Sequence, residues 1–269
     1  MSSAQLEIAT RAALGAGKII NRESLRLDQI EILKKGKFDY VTQTDIDCEN
    51  SICETLHQYF PHDTILTEES GTKFSGNSGD VWIVDPLDGT TNFLHGFPQY
   101  AVSIALTQRD RVVVGVVYDP VRNELFTAER GKGAFLNNRR IRVSGVRDMA
   151  HALIGTGFPF RRNDSATNYL PKFERVAHSV AGLRRAGSNA LDLAYVACGR
   201  LDGYWEASVH SWDIAAGTLL VLEAGGLVTD LFGQEKYLEL GNICSATPKI
   251  FADLLMKVTE AKTPATPEN

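Results

Sequence analysis

The chain has 269 residues, 43% of them hydrophobic and 23% charged, with a formal net charge of −5. That length and composition describe a soluble globular protein with a substantial core. No apolar run approaches the ~20 residues that cross a bilayer, and the acidic balance excludes the broad basic face of a nucleic-acid-binding protein.

The N-terminal stretch has apolar residues at Leu6, Ala9, Ala13, Ala16 and Ile20, a helical stripe over 4–22 with Ser3 as its N-cap. It lacks the blocks of a secretory signal, so the expected location is cytoplasmic. A second helix is predicted over 45–59, capped by Thr44 with Asp47 three residues on. Its inner face would be Ile46, Cys53, Leu56 and Phe60. Short β-branched runs at 64–67, 81–85, 101–107, 112–118 and 125–128 read as strands, with turns at Asp119-Pro120 and Asn137-Asn138. After about residue 146 the pattern becomes helices at 166–180, 189–199, 212–224 and 248–260 alternating with strands at 203–206, 227–230 and 243–246. The expected organisation is an N-terminal half at 1–145 and a C-terminal α/β half at 146–262, packed as one unit, with a disordered tail at 263–269. Cys48, Cys53, Cys198 and Cys244 form no Cys-x-x-Cys pair and read as small apolar side chains in a reducing compartment. The basic clusters Lys34, Lys35, Lys37 and Arg139, Arg140, Arg142 read as solvated surface charge.

The most informative stretch runs from Val81 through Asp85-Pro86-Leu87-Asp88-Gly89-Thr90-Thr91-Asn92 to Phe93. An apolar strand leads into two acids three apart, and Pro86 keeps Asp85 extended. Gly89 permits close backbone approach, and a helix beginning at Thr90 would aim free N–H groups at an anion. Carboxylates on one side and phosphate-facing amides on the other suit metal-assisted phosphoryl hydrolysis. The alternative from spacing alone is an Asp-rich turn between strand and helix. Glu68-Glu69-Ser70 follows the strand at 64–67 and is either a solvated loop or part of the same site. Asp213 precedes an apolar helix and is either its cap or a further ligand.

Taken in order, these segments resemble the inositol monophosphatase family over nearly the whole chain, most closely its bacterial SuhB-type members. The first signature is Thr67-Glu68-Glu69-Ser70 followed by 82–93; the second is Trp212-Asp213-Ile214-Ala215-Ala216-Gly217 followed by Glu223-Ala224-Gly225-Gly226. Tyr118-Asp119-Pro120, Gly131-Lys132-Gly133-Ala134 and Asp39-Tyr40-Val41-Thr42 before Asp45 are further landmarks.

The resemblance implies a layered α-β-α-β-α sandwich of the fructose-1,6-bisphosphatase-like sugar phosphatase fold, a homodimer, and hydrolysis of inositol monophosphate with two to three Mg²⁺ per subunit. Periodicity by itself supports only mixed α and β. It implies Glu68, Asp85 and the Leu87 carbonyl at one metal, and Asp85, Asp88 and Asp213 at the second. Thr90 and Asp45 would orient the attacking water, the amides of Gly89 and Thr90 would hold phosphate, and Gly187, Ser188 and Glu206 would contact substrate. Li⁺ inhibition is a family trait. A family lysine upstream of the Asp39 landmark corresponds to Lys34 or Lys35, and Asn189 stands where a small residue is usual. A sister activity on fructose 1,6-bisphosphate, histidinol phosphate or 3′-phosphoadenosine 5′-phosphate would use the same metal residues. A second role with transcription antitermination factors, through a contact including Arg184 and Arg185, is the alternative outside enzymology.

Overall fold

The computed structural model describes residues 2–30, 32–36, 39–158 and 166–259. In chain order the first elements are α1 (Ala4–Glu23), β1 (Ile32–Gly36), β2 (Asp39–Thr42), α2 (Gln43–Tyr59), β3 (Thr64–Thr67), β4 (Gly71–Phe74), β5 (Asp80–Asp88) and α3 (Thr90–Leu94). Then come β6 (Ala101–Gln108), β7 (Arg111–Asp119), β8 (Glu124–Glu129), β9 (Gly133–Leu136), β10 (Arg139–Arg140) and β11 (Leu153–Thr156). The chain continues with α4 (Ala166–Ala177), β12 (Gly182–Arg184), α5 (Asn189–Ala197), β13 (Gly203–Ala207), α6 (Ser211–Glu223), β14 (Leu227–Thr229), α7 (Tyr237–Leu240), β15 (Asn242–Ala246) and α8 (Pro248–Thr259).

Two sheets and three helical layers alternate. The larger sheet has the order β10-β9-β8-β7-β6-β5-β3-β4, antiparallel except where β3 runs parallel to β5. The smaller has the order β12-β11-β13-β15-β14, with β11 parallel to both its neighbours. A separate hairpin pairs β1 with β2. The period of two along each strand divides the core. From β5, β6 and β7, Trp82, Val84, Val102, Ile104, Leu106, Val114 and Val116 face α1 and α2. Ile83, Ala101, Ala105 and Val117 face the other way, onto α5 and α6. The smaller sheet repeats the division: Tyr204 and Ile243 point to the α5/α6 layer, Trp205 and Cys244 to α4 and α8. Helix α6 thus lies between two sheets, and its run Ile214 to Val221 is buried all round. Its axis comes so close to β7 that a Cβ on Gly115 would stand 2.8 Å from the Ala216 carbonyl. This is the five-layer sandwich the sequence landmarks imply.

The helix starts differ from the sequence reading at α2 and α6. Ser3 caps α1 as expected, accepting the Leu6 N–H at 3.2 Å. Helix α2 begins two residues early: its cap is Thr42, and Asp45 is the residue that reaches back to the cap's N–H. Thr44 lies inside the helix and is buried. Both Thr42 and Thr44 have an acid three residues on, but β2 ends at Thr42, so the chain turns there. The inner face of α2 is Cys48, Ile52, Cys53 and Leu56, with Ile46 and Phe60 half-buried. Asp213 is not a cap either. His210 is, with Asp213 inside the first turn of α6.

The four cysteines are unpaired and three are buried. Arg139, Arg140 and Arg142 are exposed, as read. The side chains of Lys34 and Lys35, together with Lys37 and the tail at 263–269, lie outside the described residues. Among the described residues no helix is long and apolar enough to cross a membrane.

Candidate active site

The site forms where β3 and β5 end side by side. Parallel pairing aligns Thr67 with Val84, which places Glu68 next to Asp85; the Glu68 N–H donates to the Val84 carbonyl at 3.2 Å. Asp85 and Asp88 are an odd number of residues apart, so a regular strand would point them to opposite faces. A bulge corrects this. Asp85 pairs with Ser103 and Asp88 with Ala101, so three steps on β5 match two on β6. The extra residue turns both carboxylates to one side. Gly89 follows at φ +98, a left-handed conformation, and a Cβ there would meet the Gln99 carbonyl at 2.9 Å. The chain then turns directly into α3.

These residues line one pocket of about 760 Å³. Its wall includes Glu68, Asp85, Leu87, Asp88, Gly89, Thr90, Gly187, Glu206 and Asp213. Two expected residues are not on that wall. Asp45 is fully buried behind Thr90, whose hydroxyl stands 3.0 Å from Asp45 Oδ1 and 3.1 Å from the Leu87 carbonyl. Ser188 is fully buried behind Asp88: it caps α5, and its hydroxyl donates to Asp88 Oδ2 at 2.6 Å. The Ser188 side chain supports Asp88 from behind the wall, while Gly187 of the same loop lines the pocket. The Ala190 N–H donates to the same oxygen at 2.7 Å, so the start of α5 holds the carboxylate with two donors. Asp213 Oδ2 accepts the His210 N–H at 2.7 Å.

The carboxylates crowd one another. Burial pushes Asp85 well up from the usual range, and Glu68, Asp88 and Asp213 push it further. Burial and then Asp213 raise Asp88 to about 7, against the bonds from Ser188 and Ala190. Burial raises Glu206 to about 8, opposed by its hydrogen bond from the Tyr204 hydroxyl. Among the described residues, no three His, Cys, Asp or Glu side chains already meet around one point as ligands would. Like charges at low dielectric repel one another, and Asp85, Asp88 and Asp213 each accept a backbone N–H, from Leu87, Ala190 and His210.

Sequence reasoning missed several lining residues. Thr156 ends β11, and Gly157 and Phe158 follow it; the strand's four residues of mixed character did not announce it. Arg184 and Arg185 are both exposed, and Arg185 lines the pocket. Asp192 lines it from α5; it is 2% exposed, and its Oδ1 has no hydrogen-bond partner. Asn92 proves to be a brace, its side-chain amide donating to the carbonyls of Gln99, Ala186 and Gly187 at 2.7, 2.9 and 3.2 Å. Asn189, flagged as unusual, does line the wall.

The sequence model of the inositol monophosphatase family matches residues 2–263. The chain is 50% identical over 257 residues to the Nus factor SuhB of Pseudomonas aeruginosa, covering 94% of this chain and 95% of that protein. It is 46% identical over 256 residues to the Nus factor SuhB of Escherichia coli K12, covering 95% and 96%. Among solved structures, the extragenic suppressor protein suhB from Bartonella henselae superposes with a TM-score of 0.93 at 43% identity, over 97% of this chain and all of that one. The inositol monophosphatase from Anabaena sp. PCC 7120 superposes with a TM-score of 0.85 at 38% identity, over 96% of each chain.

Proposed function

This chain belongs to the inositol monophosphatase family, and from that premise we propose that it hydrolyses inositol monophosphate to inositol and inorganic phosphate with Mg²⁺. The observation that carries the reading is that Glu68, Asp85, Asp88 and Asp213, far apart in sequence, line one pocket with the Leu87 backbone. The donor set fits the ion. Hard oxygen donors from carboxylates and a carbonyl are what Mg²⁺ takes. A buried carboxylate pushed up by three acidic neighbours is held ionised once cations stand among them.

Glu68, Asp85 and the Leu87 carbonyl would hold one ion, and Asp85, Asp88 and Asp213 a second, with a weaker third near Glu68. When bound, the ions supply Lewis-acid polarisation of the phosphoryl group and a more acidic water. The chain's own work is orientation. Thr90 offers one hydroxyl proton to two acceptors, Asp45 and the Leu87 carbonyl, so its oxygen is fixed and its lone pairs face the pocket side. There it would take a proton from the attacking water as its own hydroxyl proton passes to Asp45, so the proton the water gives up ends on the Asp45 carboxylate. Gly89 and Thr90 present backbone to the phosphate, and Gly187 and Glu206 meet the polyol.

The test is phosphate release from inositol 1-phosphate, fructose 1,6-bisphosphate, histidinol phosphate and 3′-phosphoadenosine 5′-phosphate, with and without Mg²⁺, followed by Li⁺. The expected result is Mg²⁺-dependent turnover, highest kcat/KM on inositol 1-phosphate, and loss with Li⁺. Turnover that ignores Mg²⁺ would overturn the mechanism; a higher kcat/KM on another substrate would reassign the specificity. Sedimentation of the same protein tests the proposed homodimer.

A second role is favoured by the relatives called Nus factor at 46–50% identity. We propose association with transcription antitermination factors, independent of hydrolysis. A pull-down from bacterial extract with wild-type and Asp85→Asn baits should retain those factors on both; their absence from both baits ends this reading.

A further inference from the structure

We infer that position 157 determines which leaving groups the pocket accepts: the missing side chain of Gly157 is the seat into which the Glu206 carboxylate folds. The inference rests on the polyol-phosphate reading above and deepens it. A Cβ placed on Gly157 would lie 1.7 Å from Glu206 Cδ and 1.8 and 2.0 Å from its two oxygens. Atoms that are not bonded never stand so close, so the carboxylate occupies the space a side chain would fill. Gly157 needs no left-handed backbone, unlike Gly89 or Gly187, so room is what this position supplies.

Register explains the meeting. Strand β11 pairs in parallel with β13 at Ile154 with Gly203, Gly155 with Tyr204 and Thr156 with Trp205. The next residue on each strand is Gly157 and Glu206, level across the sheet edge. Tyr204, two residues back on the same face of β13, donates its hydroxyl to Glu206. Tyr204 is fully buried and cannot retreat. The Glu206 side chain is therefore folded back between a tyrosine that holds it and a glycine that makes room. The carboxylate is the end of a flexible side chain, and the direction left open to it is the pocket that both residues line. A methyl at 157 would swing Glu206 off Tyr204 and into the space of the leaving group, leaving the fold and the phosphate end in place. The position thus discriminates by the polyhydroxylated part of the substrate, which Glu206 meets.

The experiment measures kcat and KM, with saturating Mg²⁺, for inositol 1-phosphate and for 4-nitrophenyl phosphate, whose leaving group offers Glu206 no ring hydroxyls. The proteins are wild type, Gly157→Ala, Tyr204→Phe, Glu206→Ala and the two double variants with Glu206→Ala. The expected result for Gly157→Ala is a KM for inositol 1-phosphate raised about ten-fold or more, with kcat for 4-nitrophenyl phosphate within about three-fold of wild type. In the Glu206→Ala background the added methyl should change KM by less than about two-fold, because the group it displaces is gone. Equal losses on both substrates, or the same loss in both backgrounds, would overturn the inference. Should Gly157→Ala fail to fold, Tyr204→Phe carries the same cycle, with a raised inositol 1-phosphate KM that vanishes without Glu206. Wild-type protein that turns over neither substrate sinks the phosphatase reading and this inference with it; active wild type with an additive cycle sinks only the role of position 157.

Discussion

Asp85 and Asp88 are the residues whose charge the sequence shows at once and whose direction it does not. The count between them predicts opposite faces; only the bulge against β6 turns them together. Acids at strand ends, a proline and a left-handed glycine were all legible because each has a local cause. The surroundings of Ser188 and Asp192 were not: the N-cap hydroxyl that holds Asp88, and the α5 carboxylate buried beside Gly155, meet partners distant in the chain. Asp85 faces both proposed metals, so Asp85→Asn should lower kcat/KM for inositol 1-phosphate at least ~10³-fold, about 4 kcal/mol of barrier. Near-normal phosphate release by that variant would remove Asp85 from its assigned place. Thr90→Val keeps the shape and loses the hydroxyl. It should lower kcat by about 10²-fold or more with KM little changed, since a hydroxyl that orients the attacking water acts in the transition state.

At the scale of elements, short helix and strand ends carry the site. Helix α5 begins at Ser188 and gives Asp88 two donors, so helix stability and the metal end share one cap. Ser188→Ala removes the cap and one of those donors. It should cost about 1–2 kcal/mol in denaturant titration and raise the Mg²⁺ concentration needed for half-maximal activity. Loss of stability with an unchanged Mg²⁺ requirement would make Ser188 a cap and nothing more. Periodicity located α1, α4, α5, α6 and α8 because each has an apolar pattern long enough to read. It passed over β11 and β12, which have four and three residues and are completed by parallel neighbours distant in sequence. Several landmarks far from the pocket prove to be structural. Glu223 accepts the Gly131 and Gly133 N–H groups at 2.7 and 2.8 Å, pinning the β8–β9 turn to the end of α6. Asp119 accepts the Val121 and Arg122 N–H groups, both at 2.9 Å, and closes the turn after β7.

Over the whole molecule, the site lies where the two sheets face each other across α5 and α6, and stability should report its charge. Burial holds Glu206 at about 8 and Asp192 well above the usual range. The folded state keeps those protons to higher pH than the unfolded chain does. Their contribution is therefore full below the ordinary carboxylate values and is lost as pH rises through the folded ones. Glu124, held low by Arg200, changes only under more acidic conditions. The Tm of metal-free protein should thus fall between about pH 5.5 and about pH 8.5, and Asp192→Asn should flatten the fall. A flat wild-type profile in EDTA would contradict these burial effects. Mg²⁺ at ~100-fold over its Kd should add about 2.7 kcal/mol per site, seen as a Tm raised by roughly 5–10 °C. An unchanged Tm would count against cations among the carboxylates.

The sequence by itself determined the alternation of strands and helices, the core faces, the acids at strand ends and the family landmarks. These follow from local periodicity, backbone preference and side-chain chemistry, which act over a few residues. The tertiary structure alone decided that Asp85 and Asp88 share a face, that the Ser188 hydroxyl holds Asp88, and that Gly157 makes room for Glu206. Each of those depends on the register between segments distant in the chain, which is set when the sheets pair and the layers pack.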